Sequence, residues 1–384
     1  MKYGIYDTND IMKEYRKLKS PKEFDLIDLD QLFTNDYSLY MSLRQDGKTT
    51  DCLLKGLIIN KLYGVKNVYL RNDTSQITLA NVSSLFDTVK NFNYIEKLYD
   101  GKYNDIIYVN RERNFYLVHR NESGEVDTKA VEEFCFVASN ENWLRYKSTK
   151  NLPTAWYIIW DEFLDTGRLA SPLVSEMFNN VSTFTRTNPD AHVVAISNTV
   201  NPYSVVFEDF CISEDVVFMD FGEKKNIKTA LGTTLYVELL PLSKKKKTDL
   251  MQKTVRFFGF NNKKFANFTG VQAWQGREYQ HLHDSPLSQE TIYHIKHRDK
   301  YITVNIVEFE NKLPAFLLTK CSYIPDNRGV VLTEKPVLVN EMRLNAYDFA
   351  PLVDAVKEGR IYVTTNQIGL LFDDFLSCFG YKMT

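Results

Sequence analysis

The chain has 384 residues, 44% of them hydrophobic, with 47 basic and 49 acidic side chains and a net charge of −2. That is too much chain for one ordinary core and implies two domains, while the near-neutral balance excludes a bulk polycation, so any nucleic-acid contact must come from a few placed basic loops. No apolar run is long enough to span a membrane, the segment Met1 to Asp7 lacks the apolar core of a signal peptide, and the five scattered cysteines indicate neither a disulfide framework nor a zinc site; a cytosolic protein is expected.

Residues 1–36 alternate charged and apolar side chains (Met12, Tyr15, Leu18, then Phe24, Leu26, Ile27, Leu29) and read as one or two helices packed ahead of the first strand, with no chemistry assigned. The stretch from Tyr37 to Leu62 organises the rest of the chain. An apolar strand (Leu39, Tyr40, Met41) enters Ser42-Leu43-Arg44-Gln45-Asp46-Gly47-Lys48-Thr49-Thr50, and a helix with Leu54, Leu57, Ile58 and Leu62 on one face leaves it. Strand, loop and helix in that order make a phosphate-binding loop: backbone N–H groups at the helix N-terminus wrap a polyphosphate, Lys48 reaches the terminal phosphates, and the Thr49 hydroxyl ligates Mg²⁺. Ser42 stands where the usual pattern has its first glycine. A bare Gly-Lys-Thr also occurs in surface turns, so the loop needs a second half to its site.

Lys66 to Arg71 reads as the next strand and Leu79 to about Phe92 as a helix. Ile106 to Asn110, Asn114 to His119 and Phe134 to Val137 then read as a β-hairpin insertion, about residues 104–138, carrying Arg111, Arg113, Arg120 and Lys129, a solvated surface or, as the alternative, a DNA-contacting loop. At Trp156 to Glu162 an apolar run ends in two carboxylates, which reads as a strand buried on both faces with its acids at the carboxyl end, where ligands bind in open α/β sheets. Asp161 is expected to hold Mg²⁺ and Glu162 to activate the water that attacks the γ-phosphate of ATP. After a helix from Ser171 to Phe184, a second buried strand, His192 to Ser197, ends at Asn198, a candidate sensor of the γ-phosphate.

The first domain, an α/β P-loop ATPase domain with a mainly parallel sheet, is expected to span residues 1–242, followed by a linker at 243–285 that contains Lys244 to Lys247, a solvated charge run or, as the alternative, a contact to a nucleic-acid backbone. Residues 286–384 read as a small α/β domain: strands at Thr291 to Lys296, Tyr301 to Phe309 and Ala315 to Thr319, then a helix from about Asp348 to Glu358, a strand at Ile361 to Thr364 and a helix at Ile368 to Cys378. Three antiparallel strands followed by helix, strand and helix is the order of a ribonuclease-H-like fold. Its first strand, taken as Thr291 to Lys296, carries no acid for a two-metal site, so a vestigial, catalytically dead nuclease domain is expected. His281, His283, His294 and His297 fit no zinc spacing and read as surface or core histidines.

Arg44-Gln45-Asp46-Gly47-Lys48-Thr49 resembles the deviant phosphate loop of phage terminases. The order Trp160-Asp161-Glu162-Phe163, Arg186, Ile196-Ser197-Asn198 and Asn201-Pro202-Tyr203 is similar to that of the genome-packaging ATPases of the short-tailed Picovirinae phages, from about Leu39 onward. The resemblance implies an additional-strand, conserved-glutamate ATPase working as a homopentameric ring on the portal of a prohead in the host cytoplasm, driving double-stranded DNA inward with ATP and Mg²⁺. It further implies that Lys147 and Arg186 act on the neighbouring subunit's nucleotide, Arg186 as an arginine finger. The alternatives are another translocating or remodelling ring ATPase, or a nucleotide-binding adaptor without turnover.

Overall fold

Because a strand flanked by parallel neighbours is buried on both faces, the run Leu39-Tyr40-Met41 has no exposed side and sits at the centre of a sheet, all three side chains fully buried. It belongs to a computed structural model that describes residues 2–18, 25–42, 47–142, 155–164, 173–185, 191–198, 204–217, 219–230, 232–241, 279–282, 285–298, 300–310, 313–321, 330–334, 336, 340–343 and 350–379. The chain divides into two compact units, residues 1–248 and 249–384. Among the described residues no helix is long and apolar enough to cross a membrane.

The first unit opens with a two-stranded ribbon, β1 (Lys2–Tyr3) and β2 (Tyr6–Asp7), and the helices α1 (Thr8–Lys17) and α2 (Leu29–Thr34). Strand β3 (Tyr37–Ser42) leads to helix α3 (Lys48–Tyr63). An amphipathic α3 was expected; instead it is buried all round from Cys52 to Asn60, with Leu53 and Ile59 as covered as Leu54, Leu57 and Ile58. The N-terminal segment accounts for much of this cover. The fully buried Asp51 carboxylate accepts hydrogen bonds from the backbone N–H groups of Leu26 (3.0 Å) and Ile27 (2.8 Å), and the Lys55 ammonium, also fully buried, donates to Asp51 (2.9 Å) and to the Ile27 carbonyl (2.6 Å). With Asp25 (3.0 Å) also on Lys55, each charge is matched, as burial requires.

Next come β4 (Lys66–Arg71), α4 (Leu79–Ser83), α5 (Asp87–Asn91) and α6 (Tyr94–Leu98). The expected helix from 79 to 92 is broken at Ser83 and Ser84, whose hydroxyls turn back onto the Ala80 and Asn81 carbonyls and so compete with helix continuation. Strands β5 (Asp105–Val109), β6 (Asn114–Arg120) and β7 (Val126–Ser139) come after them. They pair antiparallel, as the expected hairpin does, and because Cys135 to Ser139 also runs parallel to β4 they extend the main sheet. Then come β8 (Ala155–Asp161), α7 (Leu173–Thr185), β9 (His192–Asn198), α8 (Val205–Asp209), α9 (Ser213–Val217), β10 (Lys224–Lys228) and β11 (Thr234–Leu239).

The sheet order is β10-β11-β3-β9-β8-β4-β7-β6-β5, with β11, β3, β9, β8, β4 and β7 all parallel. The expected mainly parallel sheet is therefore present, and β9 lies as an additional strand between the loop-bearing β3 and the acidic β8. Lys224, Lys225 and Lys228 on the edge strand β10 discourage further pairing there.

The second unit holds β12 (Gln280–His281), β13 (Ser288–His297), β14 (Lys300–Glu308), β15 (Ala315–Lys320), β16 (Val331–Leu332), β17 (Glu341–Met342), α10 (Ala350–Glu358), β18 (Ile361–Val363) and α11 (Asn366–Ser377). The three antiparallel strands followed by helix, strand and helix are in place; β16 and β17 add on parallel beyond β13, and β18 runs parallel to β15 with β12 outside it. Since β12 pairs with β18, residues expected in the 243–285 linker belong in part to this sheet; Lys244 to Lys247 lie outside the described residues. Strand β13 begins three residues before the expected Thr291 and so does carry an acid, the exposed Glu290.

Candidate nucleotide site

Parallel strands align their carboxyl ends, and the register here does so for the residues that matter: Ser42 of β3 lies opposite Asn198 of β9, and Asp161 of β8 lies opposite Ile196. Gly47 stands at the N-terminus of α3 with φ of 88°, a left-handed conformation that a side chain would strain, which is why a glycine precedes Lys48. The turn delivers Lys48 back over the end of β3. Its ammonium donates to Ser42 Oγ at 2.6 Å and to Asn198 Oδ1 at 3.5 Å. Burial pushes the Lys48 pKa down to about 8, against the opposing pull of the Asp161 and Glu162 charges. Ser42, which departs from the usual glycine, therefore serves as a hydroxyl rest for the lysine.

One residue further along the helix, Thr49 Oγ1 donates to Asp161 Oδ2 at 3.3 Å. That carboxylate is held from three further directions: Tyr69 O–H donates to Oδ2 at 2.6 Å, Arg71 Nη2 lies 3.1 Å from Oδ2, and the backbone N–H of Glu162 donates to Oδ1 at 3.0 Å. Burial and the Asp161 charge raise the Tyr69 pKa well above its ordinary value, so the phenol stays a donor. Arg71 also pairs with Glu162 and donates from Nε to the Tyr69 oxygen at 2.8 Å. The two acids differ in access: the Asp161 side chain is 6% exposed and that of Glu162 48%.

The structure thus brings Ser42, Gly47, Lys48, Thr49, Asp161, Glu162 and Asn198 to one end of the sheet. Thr50 lies on the first turn of α3 beside Thr49. Arg44, Gln45, Lys147 and Arg186, and the Asn201-Pro202-Tyr203 segment, lie outside the described residues. Sequence reasoning missed Tyr69 and Arg71. Both sit on β4, next to β8 in the sheet but some ninety positions away in the chain, and no local spacing announces them.

The Thr49 hydroxyl and Asp161 carboxylate form an all-oxygen donor pair, which suits Mg²⁺, an ion that keeps most of its ligands as water and phosphate oxygens. A hydroxyl, an ammonium and one buried and one exposed carboxylate around a helix N-terminus can bind a polyphosphate, hold its metal and take a proton from water.

In the second unit, His297 Nε2 lies 2.6 Å from Asp374 and Nδ1 3.2 Å from Glu334, Arg298 Nε donates to Asp374, and Tyr279 O–H donates to Asp373. His294 and His297 are core residues and His283 lies outside the described residues. Glu290 and His297 lie seven positions apart on β13, on the order of 23 Å at the usual strand rise, so Glu290 is remote from Asp374. Among the described residues no group of three or more His, Cys, Asp or Glu side chains is placed to hold a metal ion.

No protein-family model matches the sequence, and no curated protein matches it. Among solved structures, the bacteriophage Phi-29 viral genome packaging motor assembly is similar at 16% identity, over 92% of this chain and 99% of that one, with a TM-score of 0.52. The Phi-28 gp11 DNA packaging motor is similar at 13% identity over 91% and 96% (TM-score 0.47), and the large terminase ATPase domain of Thermus phage P74-26 at 13% over 68% and 97% (TM-score 0.42). The first of these extends over nearly the whole of both chains, and this chain shares its fold, a large mainly parallel α/β sheet followed by a second, smaller one.

Proposed function

We propose that this chain is an ATP-driven motor that moves double-stranded DNA into a viral prohead, working as a homo-oligomeric ring, a pentamer by resemblance, on the portal. The observation that carries the reading is the convergence of Lys48, Thr49, Asp161, Glu162 and Asn198 at the carboxyl ends of β3, β9 and β8, in a chain with the fold of a genome packaging motor. In this reading the N-terminus of α3 and Lys48 bind the ATP phosphates, Thr49 and Asp161 would hold Mg²⁺, and Asn198 touches the γ-phosphate region beside Lys48. Mg²⁺, when bound, supplies positive charge that neutralises the phosphate oxygens. Glu162, the exposed acid, accepts a proton from the attacking water. Arg186 and Lys147 act on the neighbouring subunit's nucleotide, and Arg44 and Gln45 belong to the phosphate loop.

The test is ATP-dependent protection of genomic DNA from added nuclease inside proheads supplied with the full chain. Protection that requires ATP and intact Glu162 supports the motor. ATP turnover stimulated by DNA without protection would point to another translocating ring ATPase, and ATP binding without turnover to an adaptor.

A further inference from the structure

Glu162 adopts a left-handed backbone conformation, φ of 55°, which costs a side-chain-bearing residue about 1–2 kcal/mol and persists only where its surroundings enforce it. The enforcing contacts come from the two neighbouring strands. Asn72, fully buried just beyond β4, donates from Nδ2 to the carbonyl oxygens of Glu162 (3.0 Å) and Phe163 (3.3 Å). Its Oδ1 accepts from Trp160 Nε1 at 2.7 Å, so the amide's orientation is fixed: the indole can only donate and the carbonyls can only accept. The same turn is closed from β9, where Phe163 N–H donates to the Ile196 carbonyl (3.4 Å) and Leu164 N–H to Ser197 Oγ (3.3 Å).

Asn72 is also the end of a chain of buried amides. Asn140 Nδ2 donates to Asn72 Oδ1 at 3.3 Å, and Asn180 Nδ2 on α7 donates to Asn140 Oδ1 at 3.1 Å and to the Ser139 carbonyl at 3.3 Å. All three asparagines are fully buried. Head-to-tail amides polarise one another and so tie the movements of the three side chains together, although Asn180 Oδ1, at the far end, is buried without a hydrogen-bond partner among the described residues. Helix α7 ends at Thr185, and the next residue in sequence is Arg186.

We infer that Asn72 is the positioning residue that aims Glu162, and that the Asn72–Asn140–Asn180 chain couples this aim to the placement of α7. The inference rests on the ATPase reading of Glu162. A shift of α7 reaches the carboxylate turn through three hydrogen-bonded side chains and not through the nucleotide. Asn72 touches no reacting atom; it acts by holding the two carbonyls that set the direction of the Glu162 side chain.

The test is steady-state Mg²⁺–ATP turnover and ATP affinity of the full chain with double-stranded DNA present, for Asn72→Ala and Asn72→Asp in the wild-type and Glu162→Gln backgrounds. Asn72→Asp keeps the shape and the acceptor for Trp160 but removes the donor, setting a carboxylate against two carbonyl oxygens. Expected is a fall in maximal turnover of about tenfold to a hundredfold in the wild-type background, with ATP affinity nearly unchanged. In the Glu162→Gln background the same substitutions should change the residual turnover by less than about twofold, the non-additivity of residues that act as one. Unchanged turnover, or the same fold loss in both backgrounds, would overturn the inference. Where the Asn72 variants do not fold, Asn140→Ala, which leaves the bonds from Asn72 to the turn in place, should lower turnover by about threefold or more, and no change there would overturn the coupling. A wild-type chain without ATP turnover would overturn the proposed function and this inference with it, whereas wild-type turnover indifferent to these asparagines would overturn the inference alone.

Discussion

Two carboxylate clusters, one in each unit, are held in nearly the same way. Asp161 takes a hydrogen bond from Tyr69 and an ion pair from Arg71; Asp374 takes the His297 ring and the Arg298 guanidinium, with Tyr279 on the adjacent Asp373. What differs is the second acid and the lining around it. Next to Asp161 stands Glu162, 48% exposed, at the ends of parallel strands that also deliver an ammonium and a hydroxyl. Next to Asp374 stands the buried Asp373, and the surrounding donors belong to the fold itself. Exposure and not pairing separates the two clusters: Glu162 is paired with Arg71 yet half open at the ends of parallel strands, where ligands bind, whereas Asp373 and Asp374 are both buried.

The comparison can be broken at its catalytic side first. In the proposed motor, an Arg186 finger in trans would offer a planar cation to the γ-phosphoryl oxygens, an effect of about 10³ in rate. Arg186→Ala and Glu162→Gln subunits, each nearly inactive alone, should regain ATP hydrolysis when mixed, because an intact arginine from one subunit serves an intact glutamate in its neighbour. Mixtures no more active than the separate variants, under conditions where rings demonstrably exchange subunits, would contradict the role in trans.

On the structural side, Asp374→Ala leaves His297 and Arg298 without the carboxylate they share, and should cost about 3–5 kcal/mol of stability in the second unit, read by calorimetry of the full chain. No Mg²⁺- or Mn²⁺-dependent DNA cleavage should accompany this cluster. Metal-dependent cutting that vanishes when Asp373 and Asp374 are mutated would turn the brace into a nuclease site.

A smaller effect sharpens the same contrast. Burial opposes the charge on His297, yet the hydrogen bond to Asp374 and the charges of Asp374 and Glu334 raise its pKa; burial likewise opposes the Asp374 charge, and His297 and Arg298 lower that pKa. The His297 contribution to stability is therefore complete below its ordinary value of 6.5 and is lost as pH rises through the raised one. The Asp374 contribution is complete above its ordinary value of 3.8 and is lost as pH falls through the lowered one. Wild type should exceed His297→Gln in thermal stability most between these two values and converge on it in alkali. A difference that grows with pH would contradict the pairing.

How much of this was legible in the sequence depends on how each part is built. Leu39 to Met41, Tyr157 to Trp160 and Val193 to Ile196 are parallel strands buried on both faces, so each reads as an unbroken apolar run whose polar end marks the site. Strand β7 is half exposed and half buried, and only its last residues join β4, so the hairpin was legible but its continuation into the main sheet was not. The strands β16 and β17 are two residues long and leave no periodic signal. Tyr69, Arg71 and Asn72 act across a strand pairing between distant segments, so their roles exist only once β4 lies beside β8. The charged pair Asp51 and Lys55, four apart inside an otherwise apolar helix, was a readable hint that another segment covers α3.

The measurement closest to the central claim is ATP binding and turnover of Glu162→Gln set beside Lys48→Ala. A base at Glu162 and a phosphate anchor at Lys48 predict that Glu162→Gln binds Mg²⁺–ATP nearly as wild type while turnover falls by about a hundredfold or more, and that Lys48→Ala loses affinity itself. Equal loss of binding in both variants, or near-normal turnover in Glu162→Gln, would contradict it.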